Sequence, residues 1–153
     1  MAIMKATFAA GCFWGVEAKF VKVPGVIDTV VGYTGGVVDN PTYKMVCSHK
    51  TGHAEAVQVT YDPDQVSYEA LVRVFFDLHN PTSLNRQGFD IGNQYRSAIF
   101  YHNKEQEQIA QKIVADLENA RKFRRSIVTE ISPLKEFFRA EEYHQLYYQK
   151  HHR

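Results

Sequence analysis

Apolar and polar positions along the chain switch between a period of two and a period near 3.6, and those switches mark out its elements. Lys5 to Ala10 reads as a short strand around Thr7 and Phe8. Val16, Phe20 and Val23 then recur at roughly helical spacing, with Glu17, Lys19 and Lys22 between them, until Pro24-Gly25 breaks the pattern. Val26 to Tyr33 resumes as an apolar, β-branched run and predicts a second strand. From Gly35 to Gly52 there are glycines, Asn40-Pro41 and little periodicity, so this is a long loop with room for one helical turn. His53 to Tyr61 alternates, with Val57, Val59 and Tyr61 on one face and Gln58 and Thr60 on the other. It is the third strand.

Ser67 opens a helix with an apolar stripe at Leu71, Val74, Phe75 and Leu78, and Pro81 stops it soon after. Asn80 to Gln94 is a second long irregular stretch, followed by a short strand from Arg96 to Tyr101. The order strand, helix, strand, strand, helix, strand is that of an α+β split βαβ (ferredoxin-like) plait, a two-layer sandwich of mixed sheet and helices. Lys104 to Phe123 adds a surface-lying helix with Ile109, Ile113 and Leu117 at four-residue spacing. Ile127 to Ile131 predicts an edge strand. Leu134, Phe137 and Phe138 then anchor an irregular C-terminal tail before Glu141 to Tyr148. A single domain over 1–153 is expected.

Composition narrows the function classes more than the fold. With 44% apolar and 23% charged residues, 153 residues suffice for one sizeable core. The 18 basic residues against 17 acidic leave a formal charge of +1, so no strong field favours nucleic acid or an anionic membrane as a partner. Met1 to Thr7 has no apolar signal-peptide core, and no run approaches the ~20 apolar residues of a membrane span. A cytoplasmic monomer is expected. Two cysteines make no disulfide framework, and a reducing compartment suits a reactive thiol.

The candidate chemistry begins at Gly11-Cys12-Phe13-Trp14-Gly15, between the first strand and the first helix. A thiol at a helix N-terminus lies by unpaired backbone N–H groups and the positive end of the dipole, which stabilise a thiolate. Its pKa is therefore expected below ~8.5. The alternative is a small buried hydrophobe. Glu55, if the third strand extends back to it, shares the core-facing side with Val57 and Val59. Burial there would raise its pKa and keep it protonated near neutrality, ready to act as a general acid. If the strand begins at Ala56, Glu55 is exposed instead. Cys47, His49 and His53, with Cys12 as fourth ligand, have residue types that suit zinc, although Cys-x-His-x3-His is not a standard finger spacing. An acyl-transfer enzyme with Cys12 as nucleophile and His53 or His49 as base is a further alternative.

Gly-Cys-Phe-Trp-Gly resembles the signature of the type A peptide methionine sulfoxide reductases. The companions agree in family order: Gly32-Tyr33 with Gly35-Gly36, Asn40-Pro41-Thr42-Tyr43, Val46-Cys47, Thr51-Gly52-His53-Ala54-Glu55, Asn85-Arg86-Gln87-Gly88, Asp90 and Gln94-Tyr95-Arg96-Ser97. The resemblance implies a repair enzyme that reduces methionine S-sulfoxide, free or in peptides and oxidised proteins, by way of a sulfenic acid. It assigns Cys12 as nucleophile, Glu55 as proton donor, Tyr43 and Tyr95 as hydrogen-bond donors to the sulfoxide oxygen, and Asp90 to a supporting hydrogen-bond network. Phe13 and Trp14 would offer an apolar wall to the S-methyl group, unless they are ordinary core residues. No bound cofactor or metal is implied. Recycling calls for an external thiol such as thioredoxin, glutaredoxin with glutathione, or dithiothreitol. Many relatives carry recycling cysteines in a C-terminal extension, whereas this sequence ends Lys150-His151-His152-Arg153. Cys47 is the internal candidate for resolving the sulfenic acid, and resolution by an external thiol is the expectation.

Overall fold

The computed structural model describes residues 3–151; the ends of the expected 1–153 domain, including His152 and Arg153, lie outside the described residues. In chain order the elements are β1 (Met4–Ala10), α1 (Phe13–Val21), β2 (Val26–Thr34), α2 (Tyr43–Cys47), β3 (Ala54–Tyr61), α3 (Tyr68–Asp77), β4 (Arg86–Gln87), β5 (Asp90–Ile91), β6 (Ser97–Tyr101), α4 (Lys104–Asn119), β7 (Glu130–Pro133), β8 (Phe137–Arg139) and α5 (Tyr147–His151). Six strands form one sheet in the order β7-β6-β1-β3-β2-β8. β7 runs parallel to β6 and every other pair is antiparallel, so the sheet is mixed and the fold is α+β.

Each face of the sheet is covered differently. On one, Phe8 of β1 stacks on Phe20 of α1 at 5.1 Å and on Phe75 of α3 at 5.4 Å, which seats both helices over the central strand. Ala110 and Ile113 of α4 complete that core. Burying a phenylalanine or leucine here is worth about 1.5–3 kcal/mol each. On the other face Ala9, Ala54, Ala56 and Ala98 surround Phe100, and Leu134 and Phe137 of the C-terminal tail pack on them.

Local signals explain most boundaries. Ser67 accepts the Ala70 N–H at 3.0 Å and starts α3, while Asn103 accepts the Gln106 N–H at 2.9 Å and starts α4. α4 ends at Asn119 rather than at Phe123, because the chain turns into a left-handed conformation at Arg121, with φ 53°. The edge strand forms at Glu130–Pro133, later than Ile127 to Ile131, since Val128 gives its N–H to the Pro81 carbonyl instead. Within Asn80 to Gln94, expected to be irregular, lies the small β4–β5 hairpin. Gly88 at φ 59° supplies the turn that pairs Gln87 with Asp90. The tail contributes a strand, β8, which pairs with β2 at Tyr33–Phe138. Among the described residues no helix is long and apolar enough to cross a membrane.

Candidate active site

The site grows from the junction of β1 and α1. Gly11 turns the chain there at φ 103°, a conformation that favours glycine, and a Cβ on it would stand 3.1 Å from the Gln87 side chain of the hairpin. Cys12 follows as the N-cap of α1, half-buried; its side chain makes no capping hydrogen bond, and the Trp14 and Gly15 N–H groups act on the thiol by favouring its anion. β3 lies alongside β1, and the pairing of Phe8 with Val57 carries Glu55 up to this junction. The strand begins at Ala54, so Glu55 takes the inward position and is 1% exposed. Its Oε1 accepts the Phe13 N–H at 3.1 Å, while its Oε2 is buried with no hydrogen-bond partner.

Electrostatics follow from that placement. Burial lifts the Glu55 pKa to about 8; the Phe13 N–H opposes the shift and the Asp90 charge adds to it. The carboxyl is therefore largely protonated near neutral pH, and its unpartnered oxygen suits an O–H waiting for an acceptor. Cys12 departs from the expectation of an acidic thiol. Burial, reinforced by the charge on Glu55, outweighs the helix N–H groups and pushes its pKa up to about 11. At rest the pair is a thiol beside a carboxylic acid.

Loop residues close the opposite side. Tyr43 and Cys47 lie one turn apart on α2, and the Tyr43 hydroxyl interacts with the Cys47 sulfur. Burial raises the pKa of both, so the phenol stays neutral. Tyr95 ends a short 3-10 turn, Asn93–Tyr95, and burial lifts its pKa to about 12, with Glu55, Cys47, Asp90 and Cys12 all close enough to add to the shift. The structure thus gathers Cys12, Glu55, Tyr43, Cys47, Asp90 and Tyr95 in one neighbourhood. Asp90 is exposed on β5 and acts on its neighbours by charge; among the described side chains it makes no hydrogen bond of the expected network. Phe13 is 1% exposed and packs between Tyr33 and His144, so what it presents to the site is its backbone N–H rather than its ring.

Sequence reasoning missed the C-terminal segment. Glu141 accepts the Tyr43 N–H at 2.9 Å and the Tyr33 hydroxyl at 2.8 Å. Gln145 pairs with the N–H and carbonyl of Val31, both at 2.9 Å. Glu17, expected on a polar face of α1, is 1% exposed and takes the Leu146 N–H at 2.8 Å and the Thr29 hydroxyl at 2.7 Å. Trp14, half-buried, donates its indole N–H to His144 Nδ1 at 2.8 Å and stacks on Tyr147 at 3.8 Å. The signal was compositional: Tyr143, His144, Gln145, Tyr147 and Tyr148 put rings and uncharged polar groups where a solvated tail would carry charges.

The alternative chemistries have no geometry behind them. His53 uses Nδ1 to accept the Gly36 N–H and Nε2 to donate to the Val38 carbonyl, so neither nitrogen is free for a metal or a thiol. His49 Nδ1 is paired with Gln94 at 2.7 Å. Among the described residues no group of three or more His, Cys, Asp or Glu side chains is arranged to hold a metal ion. Cavities of about 630 and 460 Å3 elsewhere are lined by neither Cys12 nor Glu55, and the convergent polar groups mark the site.

Comparison with known proteins identifies the family. The family model described as peptide methionine sulfoxide reductase matches residues 4–153. The chain is 60% identical over 146 residues to a peptide methionine sulfoxide reductase MsrA of Methanoculleus marisnigri, covering 95% of this chain and 89% of that one. It superposes on Mxr1 from Saccharomyces cerevisiae in reduced form with a TM-score of 0.91 at 39% identity, over 97% of this chain and 86% of that one. Mxr1 in complex with Trx2 is matched with a TM-score of 0.68 at 29% identity, over 95% and 84% of the two chains. With a family model spanning nearly its whole length and a thiol and a protonated carboxyl meeting at β1, α1 and β3, this chain belongs to the peptide methionine sulfoxide reductase family and is a thiol-dependent oxidoreductase that reduces methionine sulfoxide.

Proposed function

We propose that the reductase acts on the S epimer of methionine sulfoxide, free or in oxidised proteins, with Cys12 as nucleophile and Glu55 as general acid. The observation that carries the assignment is Glu55 Oε2, buried without a partner in a carboxyl whose pKa is about 8. An acid held protonated there donates to the sulfoxide oxygen as the Cys12 sulfur attacks the sulfoxide sulfur, which makes an otherwise poor leaving oxygen acceptable. The Tyr43 and Tyr95 hydroxyls, neutral because burial raises both pKa values, polarise the same oxygen without adding charge. The bond made between the two sulfurs and the methionine S–O bond both break as the oxygen passes to Cys12: methionine sulfoxide gains two electrons and leaves as methionine, the thiol loses two and becomes a sulfenic acid bearing the proton that Glu55 gave, and the thiol proton restores the Glu55 carboxyl. Since the resting thiol has a pKa of about 11, activation accompanies substrate binding. Trp14 provides the apolar wall for the S-methyl group.

An external thiol then reduces the sulfenic acid. The likeness to Mxr1 in complex with Trx2 supports a reductant of the thioredoxin class. We read the chain as one catalytic domain that works as a cytoplasmic monomer, without nucleic acid, membrane, metal or bound cofactor. Its central strand order, β6-β1-β3-β2 with α1 and α3 in the crossovers, supports a split βαβ plait flanked by β7 and β8. Single-turnover reduction of the separated sulfoxide epimers in a blocked peptide tests the function. The S epimer should be consumed with one equivalent of sulfenic acid trapped at Cys12. Turnover of the R epimer alone would overturn it.

A further inference from the structure

Trp14 is held by two contacts of different kinds. Tyr147 stacks on its indole at 3.8 Å with the rings 7° from parallel, and His144 Nδ1 accepts its N–H at 2.8 Å. A stack fixes the plane of a ring but leaves it free to slide and turn within that plane; a hydrogen bond at the ring edge removes that freedom. His144 is itself fully buried, with ring centroids of Phe13, Tyr43 and Tyr143 at 5.1, 4.5 and 4.0 Å. Because Nδ1 accepts from a donor-only indole, the proton of the neutral ring is on Nε2, and Nε2 is buried with no hydrogen-bond partner. Phenylalanine would pack among these aromatic rings without the unpartnered Nε2–H, so packing alone does not account for an imidazole here. Its acceptor does.

We propose that His144 is a positioning residue for substrate binding: by accepting the Trp14 indole N–H it sets the indole as the wall against which the substrate's S-methyl group rests. The proposal rests on the reading of Trp14 as that wall. Burial lowers the His144 pKa, with Glu141 opposing and Lys150 adding to the shift, which keeps Nδ1 available as an acceptor. A wall that touches the methyl equally before and during reaction contributes uniform binding, so its loss appears in KM and spares kcat.

Trp14 is the only tryptophan of the chain, which gives the test a single reporter. In 15N-labelled protein one indole N–H resonance should lie downfield and exchange slowly with water. His144→Phe should move it upfield and speed its exchange, and should raise KM for a methionine S-sulfoxide peptide roughly tenfold with kcat within about twofold. His144→Asn, whose amide oxygen takes about the place of Nδ1, should restore the resonance and bring KM back to within about threefold of wild type. An unmoved indole resonance in His144→Phe overturns the proposal, as does a His144→Asn protein that recovers the resonance but not KM. Trp14→Leu separates the two layers. An unchanged KM there removes the methyl-wall reading itself, while the resonance in His144→Phe still reports on the hydrogen bond.

Discussion

The two cysteines sit in contrasting parts of the molecule. Cys12 caps a helix whose Phe13, Val16 and Phe20 are core residues, and the strand before it is paired on both sides, with β3 and β6. Cys47 ends a five-residue helix between two residues in left-handed backbone conformations, Asn40 at φ 48° and His49 at φ 67°. Helices that short have little stability of their own. α2 is held by the buried Val46 and by the bond from the Tyr43 N–H to Glu141. Acidity does not separate the two thiols, since burial raises both pKa values. Anchoring does: one sulfur lies at the junction of a core helix and a strand paired on both sides, and the other on a five-residue helix held by one buried side chain and a few hydrogen bonds.

That contrast can be broken most severely at Cys12. Cys12→Ser should abolish reduction of methionine sulfoxide in single turnover, and residual turnover near wild type would remove the nucleophile assignment. Next in size, Glu55→Gln keeps the hydrogen bond to the Phe13 N–H but loses the acidic proton. General acid catalysis is worth ~100–10,000-fold, so the single-turnover rate should fall within that range, with Glu55→Asp less affected. A rate within about twofold of wild type refutes the acid role.

Cys47→Ser should leave the first turnover untouched and sustain further cycles with glutathione plus glutaredoxin. A variant that completes one turnover and stalls, while wild type accumulates a Cys12–Cys47 disulfide, would instead make Cys47 the resolving thiol. Alkylation against pH sharpens the comparison further. Cys12 should titrate with a midpoint near 11 in the absence of substrate, and a midpoint below the free-thiol value of ~8.5 would restore the helix N-terminus as the dominant influence.

The smallest effect is on stability. The Glu55 carboxyl has a folded pKa of about 8 against an ordinary value of 4.5, so the folded state binds the extra proton between those values. Its stability contribution is fully present below about 4.5 and is lost as pH rises towards 8. Glu55→Gln removes the titrating group, so its Tm relative to wild type should rise from pH 5 to pH 8. Equal pH dependence of the two melting curves would contradict the burial-driven shift.

How far the sequence reached differs from residue to residue. Alternation of Val57, Val59 and Tyr61 left Glu55 either inward or exposed, the resemblance of Gly52-His53-Ala54-Glu55 to a family motif favoured the inward reading, and the strand does begin at Ala54. The Cys12 junction was legible because a glycine and a change of period meet there. The hairpin carrying Asp90 was not, since its strands are two residues long and give no measurable period. The acidity of Cys12 was misjudged because a helix N-terminus is visible in sequence, whereas the burial that outweighs it is a sum over distant segments.

Local patterning by itself determined the four central strands and the helices between them, because each depends on neighbours within a few residues, while Cys12 and Glu55 were singled out by the motifs around them. Only the tertiary structure decided the protonation of that pair and the environment of Trp14. Both depend on residues far away in the chain: Glu55 reaches the Phe13 N–H across 42 positions, and His144 reaches Trp14 across 130. No periodicity encodes such contacts; they exist because the sheet brings β3 beside β1 and pairs β8 with β2, leading the chain back to the first helix.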